Sequence, residues 1–152
     1  MSYCKTCELV ARRDAGDAPF WDNILRTGNW DLVHNYSTTL PGWLVLVTRR
    51  HIAALDEMSE AEAVELGPLI QKTSAALKSA VGCEKTYAIQ FAEKAEHPHV
   101  HFHIVPRMAD IPAEYRGRNV FNYRPKTAAD QISEALMNEI AVKVKAFMAS
   151  TN

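Results

Sequence analysis

Four of the six histidines in this chain, His97, His99, His101 and His103, fall within seven consecutive positions. Imidazole changes charge near neutral pH, so its neutral form serves as nucleophile or metal ligand and its cation as a donor. From Pro98 onward the pattern alternates strictly. His99, His101 and His103 share one parity, and Val100, Phe102 and Ile104 share the other. That is the period of a β-strand, in which side chains two apart leave one face roughly 7 Å from each other. Three imidazoles are therefore expected on one surface, with Val100, Phe102 and Ile104 entering a core. The wet face of a strand can be built from any polar residue, and histidine at this density points to chemistry rather than to solvation.

A second constellation is Cys4-Lys5-Thr6-Cys7. Two thiolates at this spacing can chelate one cation, and tetrahedral zinc then needs two further nitrogen or sulfur ligands. With three cysteines in all, a secreted disulfide framework is not expected. Cys83, just past the end of a predicted helix, reads as a small core residue.

The elements that position these groups belong to one domain spanning 1–152, with a core over about 4–110 and a C-terminal arm and helix over 111–152. At 152 residues and 47% hydrophobic the chain can bury a single core. Seventeen basic against 18 acidic residues leave a net charge of -1, which excludes a broad electrostatic footprint for nucleic acid or anionic membrane. No apolar run approaches a membrane span, and residues 1–10 carry charge and cysteine where a signal peptide needs an apolar stretch. A cytoplasmic protein is expected.

Along the chain, Arg12 to Pro19 reads as a loop, and Phe20-Trp21 and Trp30 to Val33 as short strands around the turn Thr27-Gly28-Asn29. Trp43 to Thr48 is nearly continuous apolar and β-branched, as suits a central strand. Ser59-Glu60-Ala61-Glu62 has capping-box spacing and opens a long amphipathic helix to Val81, with a kink or break expected at Pro68. Thr86 to Phe91 resumes strand character before the histidine-rich segment. Residues 110–126 have no clear period and read as an irregular arm, and a last helix is expected over about 130–148. Strands, helix, two strands and a terminal helix do not alternate as βαβ units do. The expectation is an α+β domain whose antiparallel sheet has about five strands.

His99-Val100-His101-Phe102-His103-Ile104-Val105 resembles the defining signature of the histidine triad (HIT) family, three histidines alternating with apolar residues. Pro106-Arg107 after it, Asn35 upstream of Pro41-Gly42, the strand Leu44 to Val47 and the ending Arg50-His51-Ile52 extend the resemblance over roughly residues 4–107. It is similar to microbial, zinc-containing members in particular.

The resemblance implies a nucleotide hydrolase or nucleotidyltransferase acting at the α-phosphate of a dinucleoside polyphosphate or nucleoside phosphoramidate. His101 would be the nucleophile and form a covalent nucleotidyl-histidine. His103 would bind phosphate oxygen or help protonate the leaving group, and Gln90 would hydrogen-bond phosphate or the leaving group. Asn35 would contact ribose with Val33 packing on the base and His99 beside them. A structural zinc would be held by Cys4, Cys7, His51 and His99, with His97 as the rival fourth ligand. Members pair as homodimers, and Ala61, Ala63, Ala75, Ala76 and Ala80 beside the Leu/Ile stripe of the long helix give an independent reason to expect a second packing surface. Two other classes fit the residues: a hydrolase whose strand histidines bind catalytic zinc, and a nucleotide-binding protein without turnover. Two departures stand out. Trp43 occupies a position where many members carry histidine, and 91–96 contains no glycine where they have a glycine-rich phosphate loop.

Overall fold

The computed structural model describes residues 3–151. Five strands, β1 (Leu25–Arg26), β2 (Trp30–His34), β3 (Leu44–Thr48), β4 (Lys85–Ile89) and β5 (His101–Arg107), form one antiparallel sheet in the order β1-β2-β3-β5-β4. Three helices accompany it, α1 (Lys5–Asp14), α2 (Glu60–Val81) and α3 (Glu134–Ser150). The fold is the α+β arrangement expected from the sequence, and the apolar segment 44–48 is its central strand. No helix among the described residues is long and apolar enough to cross a membrane.

Strand alternation sorts the side chains into two layers. On one face Leu32, Leu44, Leu46 and Ile104 meet Leu69 and Leu77 of α2 and Ile140 and Val144 of α3, all nearly or fully buried. On the other, Val33, Val45, Val47 and Val105 pack with Val10 of α1 and with Val120. β3 and β5 pair Val45 with His103 and Val47 with His101, so both histidines stand on the second face.

The long helix starts where the capping box places it. Ser59 Oγ accepts from the Glu62 N–H at 3.2 Å, and Glu62 Oε2 accepts from the Ser59 N–H at 2.7 Å. It ends at Gly82, whose φ of 69° is the left-handed conformation that closes a helix. The helix runs unbroken through Pro68. The carbonyl deprived of a partner there belongs to Val64, which is 70% exposed, so solvent satisfies it.

Three local expectations are corrected, and the irregular arm gains its detail. Phe20-Trp21 forms a 3-10 turn after Pro19, and the strand partner of β2 is Leu25–Arg26. Arg12 to Asp14 belong to the last turn of α1, because Arg13 is drawn inward by Asp22 at 2.8 Å and Asp31 at 3.1 Å, each about 1% exposed. Breaking a buried pair of this kind costs about 3–5 kcal/mol. The arm 110–126 is built of short 3-10 turns anchored by fully buried Val120. The histidine-rich strand begins only at His101, leaving His97 and His99 in the bend before it.

The connection from β2 to β3 is held from inside by His34. Its Nδ1–H donates to the Asn35 carbonyl at 2.9 Å, and its Nε2 accepts from the Gly42 N–H at 3.0 Å. Gly42 has φ of 85°, and a Cβ there would stand 3.1 Å from Val81 Cγ1 of α2, so both conformation and space require glycine. Burial pushes the His34 pKa from 6.5 down to about 4. The unfolded chain therefore takes a proton that the native state refuses, and this contribution to stability is complete above pH 6.5 and declines as pH falls toward 4. Urea unfolding at a series of pH values is expected to show a shallower acid decline for His34→Gln than for the parent, by up to roughly 1.4 kcal/mol per pH unit. An equally steep decline in both would contradict this role.

Candidate active site

His99, His101 and His103 each have their proton position set by a partner of fixed polarity. His101 Nδ1 lies 2.6 Å from the His99 carbonyl and must donate to it, which leaves Nε2 with a free lone pair. His103 Nδ1 lies 3.0 Å from Trp43 Nε1, and an indole N–H can only donate. His103 therefore accepts at Nδ1 and carries its proton on Nε2. Neither nitrogen of neutral His103 is then available to a metal. Burial holds both rings below their ordinary pKa, to about 3 for His103, where the nearby His101 and Arg124 act in the same direction.

His101 and His103 open on a cavity of about 280 Å³. Val33 and Asn35 form part of its wall. Asn35 is also a turn residue: its Oδ1 accepts from the Ser37 N–H at 2.9 Å, which leaves the Nδ2 amide to reach a ligand. Gln90, half-buried just beyond β4, does not line the cavity. His97 does, held between Thr6 Oγ1 at 2.8 Å and the Tyr36 hydroxyl at 3.2 Å.

His99 does not face the cavity, contrary to the expectation of three imidazoles on one surface and of a place beside the nucleotide. It is completely buried, and its Nε2–H donates to the Thr48 carbonyl at 2.7 Å. This directs the Nδ1 lone pair at the cysteines, 3.5 Å from Cys7 Sγ and 3.7 Å from Cys4 Sγ. His51 Nδ1 stands 3.3 Å from His99 Nδ1 and 3.1 Å from Cys7 Sγ. The donor atoms of Cys4, Cys7, His51 and His99 all lie within 4.8 Å of one another. Zinc bonded at about 2.3 Å to sulfur and 2.0–2.1 Å to nitrogen would need tetrahedral edges of roughly 3.3–3.8 Å, close to this spacing. Without a cation, burial and the adjacent Cys4 push the Cys7 thiol up to about 11. His97 is turned away toward Thr6 and Tyr36 and is no part of this cluster.

The HIT domain family model matches residues 22–110. The chain belongs to the HIT family. It is 29% identical over 110 residues to the adenosine 5'-monophosphoramidase of Schizosaccharomyces pombe, covering 70% of this chain and 76% of that protein. Among solved structures, a HIT-like protein of Bartonella henselae shares the fold with a TM-score of 0.68 at 20% identity, over 90% of this chain and 93% of that one. A zinc-bound histidine triad protein of Mycobacterium smegmatis does so with a TM-score of 0.66 at 18% identity, over 97% and 94%. Diadenosine triphosphate hydrolase of Plasmodium falciparum has a TM-score of 0.63 at 18% identity, over 84% and 76%.

Several residues around the HIT signature escaped the sequence reading. Phe121 packs edge-on against both His103 and Trp43, with ring centroids 5.4 Å away in each case. Arg124 sits over the Phe121 ring at 5.3 Å and, with Lys94, brings positive charge to the cavity wall. The arginines of the arm were visible in sequence, but without periodicity nothing placed them at this site. In the glycine-free loop Ala92 adopts φ of 55°, a left-handed conformation that costs a non-glycine residue about 1 kcal/mol.

Proposed function

We propose that this HIT-family protein is a nucleotide hydrolase or nucleotidyltransferase that works through a covalent nucleotidyl-His101. The observation that carries the reading is the hydrogen bond from His101 Nδ1–H to the His99 carbonyl, which leaves the other ring nitrogen as a free nucleophile in the cavity. The activities of two similar proteins, a monophosphoramidase and a diadenosine triphosphate hydrolase, support an α-phosphate as the reacting centre.

In this reading Val33 packs on the base and Asn35 Nδ2 reaches the ribose. His103 Nε2–H donates to a phosphate oxygen, and Arg124 and Lys94 balance phosphate charge. Attack by His101 Nε2 displaces the leaving group, and water then cleaves the P–N bond, restoring the imidazole lone pair. The alternative with catalytic zinc on the strand histidines loses support from His103, whose lone pair is taken by the Trp43 indole.

Cys4, Cys7, His51 and His99 fit a structural zinc. Its chemistry would be cross-linking rather than catalysis, tying the start of α1 to the segment before β5. The arm and α3 belong to the same domain, since Phe121 and Arg124 line the cavity and Val144 enters the core. A second copy would cover the outer face of α2, where Ala61, Ala63 and Val64 are exposed, giving a homodimer.

Kinetics with diadenosine triphosphate and adenosine 5'-phosphoramidate test the nucleophile. His101→Ala should lower kcat/KM by at least roughly a thousandfold with the fold intact, because a half-buried residue facing a cleft carries little packing. Retention within about tenfold would defeat the covalent reading. Elemental analysis of protein purified without chelator should find one zinc per chain, and its removal should lower Tm, since a structural site adds its binding energy to folding. Absence of zinc would contradict the site.

A further inference from the structure

Trp43 occupies one of the two places where the sequence departs from its family, and the structure sets its side chain against His103 of β5. The indole is 1% exposed, its N–H donates to His103 Nδ1 at 3.0 Å, and its ring meets the imidazole edge-on with centroids 5.5 Å apart. An indole N–H cannot accept. A histidine or hydroxyl here could reverse its bond and let His103 take a second proton, whereas Trp43 permits only an unprotonated Nδ1.

We propose that Trp43 is a positioning residue that fixes His103 as a neutral Nε2–H donor, and so restricts the enzyme to nucleotides whose leaving group departs as an oxyanion without needing a proton. This rests on the nucleotidyl-transfer reading above. In the step, His101 Nε2 bonds to the α-phosphorus and the bond from phosphorus to the bridging oxygen breaks. That oxygen keeps the electron pair and leaves as a terminal phosphate, receiving a hydrogen bond from His103 Nε2–H but no proton. An amine must take a proton as its P–N bond breaks, and a neutral imidazole N–H is a poor acid for that task.

The surroundings point the same way. The charged and titratable groups that face His103 are His101 on its own strand, His97 in the loop before it and Arg124 in the arm. All are cationic when charged, so they oppose an imidazolium and favour an anion. Phe121 stands nearly perpendicular to the His103 ring with centroids 5.4 Å apart and brings no charged or titratable group. His97 also lines the cavity, and its two nitrogens are engaged with Thr6 and Tyr36. The substrate class this selects is a nucleoside polyphosphate, with phosphate, pyrophosphate or a second nucleotide as leaving group, rather than a nucleoside phosphoramidate.

Two readouts test it. Nitrogen-15 NMR of the histidine rings in the parent protein at neutral pH should show His103 protonated at Nε2 alone, a measurement that needs no substrate and no variant. A parent ring protonated on Nδ1 would overturn the proposal. The second is the ratio of kcat/KM for diadenosine triphosphate to that for adenosine 5'-phosphoramidate, expected to exceed roughly a hundredfold in the parent. In Trp43→Phe, which keeps an aromatic ring without the donor, and in Trp43→His, the ratio should narrow at least about tenfold, by a gain on the phosphoramidate. A parent ratio near unity, or a ratio unmoved in whichever variant folds, overturns the leaving-group restriction and leaves the covalent reading standing. Turnover of neither substrate by the parent overturns both.

Discussion

His99 makes three connections on which both halves of the site depend. Its Nε2–H is spent on the Thr48 carbonyl at the end of β3, its Nδ1 points to the sulfurs of Cys4 and Cys7, and its own carbonyl receives the Nδ1–H of His101. A histidine so completely buried keeps its place only if each polar atom is satisfied, because an unpaired buried group costs about 1–3 kcal/mol. Satisfying them fixes the ring's tautomer. It also fixes the direction of the carbonyl that sets the tautomer of His101. The cysteine cluster and the nucleophile are thus two ends of one short chain of hydrogen bonds.

The sheet supplies the rest of the geometry through register. A slip of one residue between β3 and β5 would send His101 and His103 to the helical face and bring Phe102 and Ile104 into the cavity. What prevents it is the apolar layer itself: Leu44, Leu46 and Ile104 have their only dry surroundings against α2 and α3. The turn between β2 and β3 is constrained in the same spirit. His34 binds the Gly42 backbone, Gly42 fits only as glycine against α2, and Trp43 follows directly with its indole on His103.

Much of this was legible in the sequence because it is periodic or locally encoded. Alternation placed His101 and His103 on one face, the capping box located the start of α2, and the apolar run 44–48 marked the central strand. The four residues named for zinc converge as the family resemblance implied. What failed did so for identifiable reasons. His99 shares the parity of His101, but pairing begins two residues later, and parity means nothing where there is no ladder. The last turn of α1 looked like a loop because Arg13 and Asp14 gain their partners, Asp22 and Asp31 for the one and Arg26 and Arg49 for the other, only in the tertiary structure. Phe121 and Arg124 lie in an aperiodic segment that reaches the cavity by anchoring Val120, a long-range contact with no local signature. Pro68 left α2 intact because the lost hydrogen bond falls where water replaces it.

The central claim is that a single imidazole, made nucleophilic by a backbone carbonyl, carries the nucleotidyl group. Rapid acid-free quenching of the protein during turnover of diadenosine triphosphate, followed by mass spectrometry of its peptides, tests this most directly. The account predicts one adenylyl group on the peptide containing His101, bonded to that residue and absent when substrate is omitted. Turnover with no adduct at any quench time, or an adduct on His97 or His103 instead, would contradict it.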